Sequence, residues 1–234
     1  LYLENSEIDN IDLRLEYYFG FNQFFTAGIF SKEILNPIEE TVNESGDLII
    51  TSYQNVPLAE INGFEIEYEQ VFEAIMDSPN DLLVKFNYTE TESEVIVNPG
   101  DTYINSIGTV VDAQSLLANG RDTRLQGQSD TIANFQIGLD NLQNQTQATL
   151  IVNYVSDRVR ARGIDVLPDI IEEPPLLVDF AFSKIYSYPE FELKLSLELR
   201  NLLDEEYYAS MRNIAIYDQY DLGTSASLGF KISF

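Results

Sequence analysis

The chain has 234 residues, of which 39 are acidic and 13 are basic, so its formal net charge is −26. Cysteine, tryptophan and histidine are absent, which excludes a disulfide framework, a Cys/His zinc site and a histidine-based catalytic triad within this chain. The large negative charge argues against nucleic acid as a partner, because phosphate binding needs clustered lysine and arginine.

Neither a membrane-spanning helix nor a leader is visible in the sequence. No run approaches about 18 consecutive apolar residues, so no transmembrane helix is predicted. The first five residues have neither a basic region nor the apolar core of a signal peptide. Because the chain does not begin with methionine, we interpret it as a piece of a longer protein or a processed form.

Apolar and polar residues alternate along most of the chain, which is the pattern of strands with one apolar and one polar face. Near the start, for example, Ile11, Leu13 and Leu15 alternate with Asp12 and Arg14. Most of these segments exceed five or six residues and are long enough to cross hydrocarbon, which takes about 9–11 residues of tilted strand. We predict nine strands, near residues 8–19, 23–36, 58–72, 81–96, 128–141, 146–160, 171–186, 190–201 and 221–234.

The links between these strands alternate in length. Short turns are predicted near residues 20–22, 76–80, 142–144 and 186–189, and long links near 37–57, 97–127, 161–170 and 202–220. This is the layout of an outer-membrane meander, with tight periplasmic turns and long extracellular loops, whereas a soluble sandwich has no reason to sort its links by end. The predicted fold is therefore all-β: an antiparallel up-and-down meander of about nine long strands, part of a larger transmembrane β-barrel.

Several stretches resemble TonB-dependent outer-membrane receptors. Residues 201–208, NLLDEEYY, followed by a last strand that ends in Ile232-Ser233-Phe234, are similar to the C-terminal end of that family. Residues 59–68, AEINGFEIEY, are similar to one of its mid-barrel strands, and residues 36–40 and 163–169 to its loop edges. The resemblance covers nearly the whole chain in order.

The resemblance implies that residues 1–234 are the C-terminal portion of the receptor barrel. The family barrel has about 22 strands and is filled by an N-terminal plug domain. This chain has neither that plug nor the short segment that contacts TonB, and nine is an odd number, whereas bacterial single-chain barrels have an even count. The implied location is the outer membrane of a Gram-negative cell.

The resemblance also implies a function and partners. The intact protein would take up a scarce nutrient such as a ferric siderophore, cobalamin or an oligosaccharide, with substrate choice in the loops near 37–57, 97–127 and 202–220. Its implied partners are outer-membrane lipid, the TonB complex through the missing N-terminal part, the barrel-assembly machinery and a small nutrient ligand. No cofactor, metal site or enzymatic activity is predicted, because no spacing singles out an acid and a base or a calcium loop.

Three sets of residues are singled out as candidate sites. Phe230, Ile232 and Phe234 resemble the signal that the assembly machinery reads in this family, and the alternative is that Phe234 is an interfacial aromatic. Glu65, Glu67 and Glu69 alternate with apolar residues and should line the lumen. There they face either basic groups of the absent parts of the protein, or water and counterions that screen them.

The third set is a run of arginines at every second position. Continuing in phase from the apolar residues of the strand near 146–160, Arg158, Arg160 and Arg162 fall on the outer face beyond the apolar band. We predict that they contact lipopolysaccharide phosphates through charge-assisted hydrogen bonds. The alternatives are a solvated strand tip, or a bulge that turns them inward to pair with loop carboxylates.

Two other functions compete with the receptor. One is a soluble secreted all-β carbohydrate-binding module, in which Tyr207, Tyr208, Tyr217 and Tyr220 would be stacking platforms. The other is a diffusion porin, which differs by lacking a plug.

Overall fold

The computed structural model describes residues 3–45, 48–73, 79–105, 108–164, 167–212 and 214–234. Regular structure in these ranges is almost entirely β-strand, with a 3-10 helix over Ala113–Gly120. No helix in these ranges has the length and apolar content needed to span a membrane.

The strands are β1 (Glu7–Gly20), β2 (Gln23–Leu35), β3 (Ile38–Ser45), β4 (Leu48–Asn55), β5 (Leu58–Phe72), β6 (Asn80–Ile96), β7 (Thr102–Ile104), β8 (Val110–Asp112), β9 (Thr131–Asn141), β10 (Thr146–Val155), β11 (Arg158–Gly163), β12 (Ile170–Glu173), β13 (Leu177–Ser187), β14 (Glu192–Arg200), β15 (Glu206–Met211), β16 (Ala215–Asp221) and β17 (Ser225–Ser233).

The main sheet has nine strands in the order β1-β2-β5-β6-β9-β10-β13-β14-β17. Every neighbouring pair is antiparallel. The prediction of an all-β chain with a nine-stranded antiparallel meander is confirmed. Within the described residues β1 and β17 each have one hydrogen-bonded neighbour in this sheet, so the sheet is open at both edges.

The connections of the main sheet are sorted by end. The turns after β1, β9 and β13 are short, and an antiparallel meander places them all at one end of the sheet. Asn22 and Gln145 adopt positive φ values of 52° and 48° in two of these turns, which asparagine tolerates better than most residues. Residues 76–78 of the predicted turn near 76–80 lie outside the described residues.

The long links were predicted as loops, and this was wrong. Three of them form a second sheet of six strands in the order β16-β15-β12-β11-β3-β4, which we call the upper sheet because it lies beyond the long-link end of the main sheet. Its strands β3 and β11 come from different links and pair in parallel at Arg162↔Thr41 and Gly163↔Val42. The remaining link, near 97–127, contains the β7–β8 hairpin and the 3-10 helix.

The predicted strand near 146–160 is two strands. It breaks between Val155 and Arg158, where Ser156 exchanges hydrogen bonds with Thr131 and accepts another from Ser129. The main-sheet strand β10 ends there, and β11 continues into the upper sheet. The alternation of residues 146–160 therefore does not continue in phase through the arginines.

Two buried clusters hold the links in place. One packs the 97–127 link against the polar face of β5 and β6 and contains Val56, Ala59, Val95, Tyr103, Ala113 and Leu116. The other lies within the upper sheet and contains Val42, Ala161, Ile170 and Ala209. Both clusters are at the long-link end, so the buried apolar core of the described residues is not the apolar face of the main sheet.

Gly163 is expected to tolerate no side chain. A Cβ atom at this position would overlap the carbonyl oxygens of Leu167 and Pro168, both of which are backbone atoms. Gly163→Ala should therefore destabilise the upper sheet by about 1–3 kcal/mol, measured by denaturant unfolding. Gly138→Ala is the matched control, because its φ is not positive and an added Cβ atom there would make only ordinary van der Waals contacts, at 3.5 Å or more. An equal loss in both variants would contradict the packing argument.

Candidate functional site

The ladder register assembles one continuous apolar face. Cross-strand partners share a face, and the outward residues of every strand of the main sheet are mainly apolar. Leu150, for example, lies opposite Ile137 on β9 and Phe180 on β13, and Leu197 lies opposite Leu228 on β17. The apolar face includes Ile11, Leu13, Leu15, Phe25, Ile29, Phe64, Ile66, Tyr68, Val84, Phe86, Phe135, Ile137, Leu150, Val152, Phe180, Phe182, Leu195, Leu197, Leu228 and Phe230.

Carboxylates mark the upper limit of the apolar face. In register, Asp9 lies opposite Glu33, Glu33 opposite Glu60, and Glu60 opposite Glu94, so four acids form a row across β1, β2, β5 and β6. Like charges directly opposite each other destabilise a sheet unless water screens them, and all four are at least partly exposed. The apolar face therefore ends at a row that requires an aqueous environment.

The polar face brings together the three acids that the sequence singled out. Glu65, Glu67 and Glu69 share this face with cations of β1 and β6. Arg14 on β1 lies 3.2 Å from the Glu65 carboxylate and 3.5 Å from that of Glu67, and Lys85 on β6 lies 2.8 Å from Glu69. Both cations belong to this chain. The sequence analysis had considered only basic groups of the absent parts of the protein, or water and counterions, as partners of these acids. A lumen location for the acids stays a prediction.

A pocket of about 450 Å³ opens on the polar face beside the Arg14–Glu65 ion pair. Its lining includes Arg14, Phe30, Lys32, Glu65 and Gln128. The Lys32 ammonium lies 5.3 Å from the centroid of the Phe30 ring, a cation–π distance. The pocket therefore offers both signs of charge and an aromatic wall, and the sequence analysis did not identify Phe30 or Lys32.

The three arginines of β11 pair with carboxylates of the loop strands. Arg158 lies 2.7 Å from Glu172 of β12, and Arg160 lies 3.2 Å from Asp218 of β16. Arg162 is completely buried and binds Glu39 of β3. Of the alternatives considered from the sequence, pairing with loop carboxylates is the one that matches these contacts. Lipopolysaccharide contact is wrong for Arg162, because its side chain reaches no solvent.

Arg162 joins three of the long links. Besides both oxygens of Glu39, its guanidinium donates to the backbone carbonyls of Asp122 and Arg124, at 2.7 and 2.9 Å. Asp169, which is also buried, accepts from the amide of Asp122 and from that of Gly163. Sequence reasoning missed Glu39 as the partner because the two residues are 123 positions apart.

Arg124 is the centre of a second charge cluster at the junction of the two sheets. Its guanidinium lies 2.8 Å from Asp122, 3.2 Å from Asp130 and 2.9 Å from Asp157. Burial alone would raise the pKa of Asp122, but the hydrogen bonds and charge of Arg124 outweigh burial and hold that pKa below its ordinary 3.8. Burial raises the pKa of Asp130 above 3.8, against the attraction of Arg124.

These opposite shifts predict opposite effects of pH on stability. The ionised Asp122 stabilises the fold at neutral pH, and this contribution is lost as the pH falls through 3.8 and below, because its folded pKa is the lower one. Asp122→Asn should therefore lower the free energy of unfolding at pH 7 and flatten its loss in acid. Asp130→Asn should leave stability at pH 7 unchanged or raise it. Urea unfolding from about pH 7 to pH 3 measures both, and the same sign for both variants at pH 7 would contradict the assignment.

A tyrosine cluster surrounds Arg160. The rings of Tyr207 and Tyr220 are stacked with centroids 4.6 Å apart, and the Arg160 guanidinium lies 5.9 Å from the Tyr207 centroid and 5.3 Å from that of Tyr217. Burial, reinforced by the charge of Glu172, raises the pKa of the Tyr207 phenol to about 12. Three of the four tyrosines named from the sequence are therefore together, whereas Tyr208 faces the other side of β15.

The C-terminal aromatic residues are on the surface. Phe230 and Ile232 lie on the apolar face of the edge strand β17 and are 67% and 55% exposed, and Phe234 is fully exposed. The Phe234 ring lies 6.5 Å from that of Phe191, measured between centroids. A role in assembly stays a prediction.

Among the described residues, no group of three or more acidic side chains is arranged to hold a metal ion. A scan against models of protein families found no match to this chain, and a search of curated protein sequences found none either. The family resemblance therefore rests on the short stretches quoted above.

Proposed function

We propose that this chain is the C-terminal barrel section of a TonB-dependent receptor in the outer membrane of a Gram-negative cell. The observation that carries the proposal is the apolar face, which extends across all nine antiparallel strands. Lipid would cover this face, and the polar face would line a wet lumen. The open edges at β1 and β17 would pair with the remaining strands of the barrel, since unpaired edges are too costly in hydrocarbon.

The packing of the two sheets supports this proposal over a soluble sandwich. In a sandwich the apolar face would pack against the second sheet. Here Phe230 and Ile232 are more than half exposed, and Leu195 and Leu197 are not buried. The upper sheet instead has its own buried cluster. An uncovered apolar face of this extent needs another apolar medium.

The folded links support a receptor over a diffusion porin. The 97–127 link packs against the polar face through its buried cluster, so it would lie within the mouth of the lumen. The upper sheet would then stand outside the membrane as a preformed structure on which a nutrient is recognised.

Two measurements test the proposal. Membranes from cells that produce the protein are washed with salt and alkaline carbonate and then dissolved in detergent, and we expect the protein to be released only by detergent.

Orientation is tested with single introduced cysteines, because the chain has none of its own. Ala215→Cys in the upper sheet should react with a membrane-impermeant maleimide on intact cells, and Gln143→Cys in a short turn should not. Release by carbonate, or labelling of Gln143→Cys alone, would refute the proposal.

A further inference from the structure

We infer that the upper sheet carries a binding site for a neutral saccharide, formed by Tyr220 and Tyr207 with the Arg160–Asp218 ion pair. We call these four residues the tyrosine platform. The inference rests on the proposed function, because it names the class of nutrient that the receptor would recognise.

The outer ring of the platform is available to a ligand. Tyr220 is 50% exposed and lies on β16, which has no strand beyond it in the upper sheet as described. One face of its ring is stacked on Tyr207 at an interplanar angle of 17°, so the opposite face is directed away from Tyr207, on the side of β16 where the sheet ends. A flat aromatic face of this kind suits the C–H face of a sugar ring, which is apolar although the ring edge carries hydroxyls.

The platform is held rigidly. Tyr207 packs against the buried cluster of the upper sheet, and its hydroxyl accepts a hydrogen bond from Arg160 at 3.0 Å. Arg160 in turn donates to Asp218 at 3.2 Å. Tyr220 stacks on this fixed ring, so a ligand that binds its other face adds to an existing stack and orders few further side chains.

The charges of the platform favour a neutral ligand. Both arginines on this face are already paired, Arg158 with Glu172 and Arg160 with Asp218, so neither is an isolated cation that would attract an anion. The formal net charge of the whole chain is −26, which repels anions at longer range. The partly exposed guanidinium and carboxylate can still donate to and accept from hydroxyls, and a saccharide hydroxyl does both.

The test is calorimetric titration of the intact, detergent-solubilised protein that contains this chain. The probes are two neutral hexasaccharides, maltohexaose and cellohexaose, and two anions, hexagalacturonate and ferric citrate. We expect at least one neutral probe to bind, and Tyr220→Ala to weaken it about three- to tenfold, since stacked contacts are worth about 0.5–1.5 kcal/mol. Tyr220→Phe should retain binding, because the ring is kept.

The chain offers a matched control. Tyr188 is also 50% exposed and is stacked on Phe191 at 4.7 Å, but it lies in a short turn at the other end of the sheet. Tyr188→Ala should leave binding within twofold of the unmodified chain. Tyr220→Leu keeps an apolar contact with Tyr207, so it separates loss of the aromatic face from loss of the fold.

Three outcomes would overturn the inference: no neutral probe binds, an anion binds as tightly as the neutral probe, or Tyr220→Leu binds like the unmodified chain. None of these affects the membrane extraction and the labelling of Ala215→Cys, which test the proposed function separately. A chain that behaves as an outer-membrane protein but fails here is a receptor for another ligand.

Discussion

Arg162→Met is expected to destabilise the upper sheet by about 3–5 kcal/mol, which is the usual consequence of removing one partner of a buried ion pair. The substitution leaves the Glu39 carboxylate buried without a cation, and it leaves the carbonyls of Asp122 and Arg124 without their donor. Denaturant unfolding measures the total loss. Hydrogen exchange should locate it in β3 and β11, which pair with each other at Arg162 and Gly163.

Two further variants test the cause of this loss. Arg162→Met combined with Glu39→Gln should be less destabilised than Arg162→Met alone, because the uncompensated charge is then removed. Arg200→Met is the surface control: its pair with Glu198 is at 3.2 Å, but the arginine is 69% exposed, so the expected change is less than about 1 kcal/mol. Equal losses at Arg162 and Arg200 would show that burial of the pair contributes nothing.

Leu150→Arg is expected to cost about 2–4 kcal/mol in a lipid bilayer, because it places a charge near the middle of the apolar face. The adjacent variant Thr149→Arg should have little effect. Thr149 is equally half-buried but lies on the polar face, where its cross-strand neighbours Gly138 and Ala181 leave room for a longer side chain. Unfolding from phospholipid vesicles compares the two.

These two variants distinguish lipid from water or protein as the medium that covers the apolar face. If water covered both faces, both arginines would be tolerated. If a second protein layer covered the apolar face, Leu150→Arg would be costly in detergent-free buffer as well. A loss confined to Leu150→Arg and to lipid is the outcome expected from the proposed function.

The period-two pattern was sufficient for most of the main sheet, although the predicted strands near 146–160 and 171–186 each join a main-sheet strand to a strand of the upper sheet. The predicted strand near 58–72 coincides with β5, the predicted strand near 8–19 is one residue shorter than β1 at each end, and the predicted strand near 23–36 is one residue longer than β2. β1 and β2 pair through the short turn after Gly20, so the pattern and the turn residues that specify this pair are local. β2 and β5 keep the same alternation although the link that forms β3 and β4 separates them. The shared face of Glu65, Glu67 and Glu69 follows from the same pattern.

The upper sheet was not predictable in this way. Its strands β3 and β11 belong to links that are far apart in the sequence, and Glu39 reaches its partner Arg162 only because the main sheet brings their links to the same end. In the sequence, apolar and polar residues keep alternating past Ser156, although in the structure hydrogen bonds from Thr131 and Ser129 end the strand there. No local sequence pattern indicates the pairing of β3 with β11 or the end of β10.

By itself, the sequence determined a class of fold and two chemically different faces, since alternation in a strand decides which side chains are neighbours. The tertiary structure decided which partner each charged side chain has and whether it is buried. It paired Arg14 and Lys85 with the acids of β5, buried Arg162 against Glu39, and set Arg160 among tyrosines of β15 and β16. The reason is that a charge takes its partner from whatever lies within a few ångströms in space, and in an antiparallel meander that distance spans links separated by more than a hundred residues.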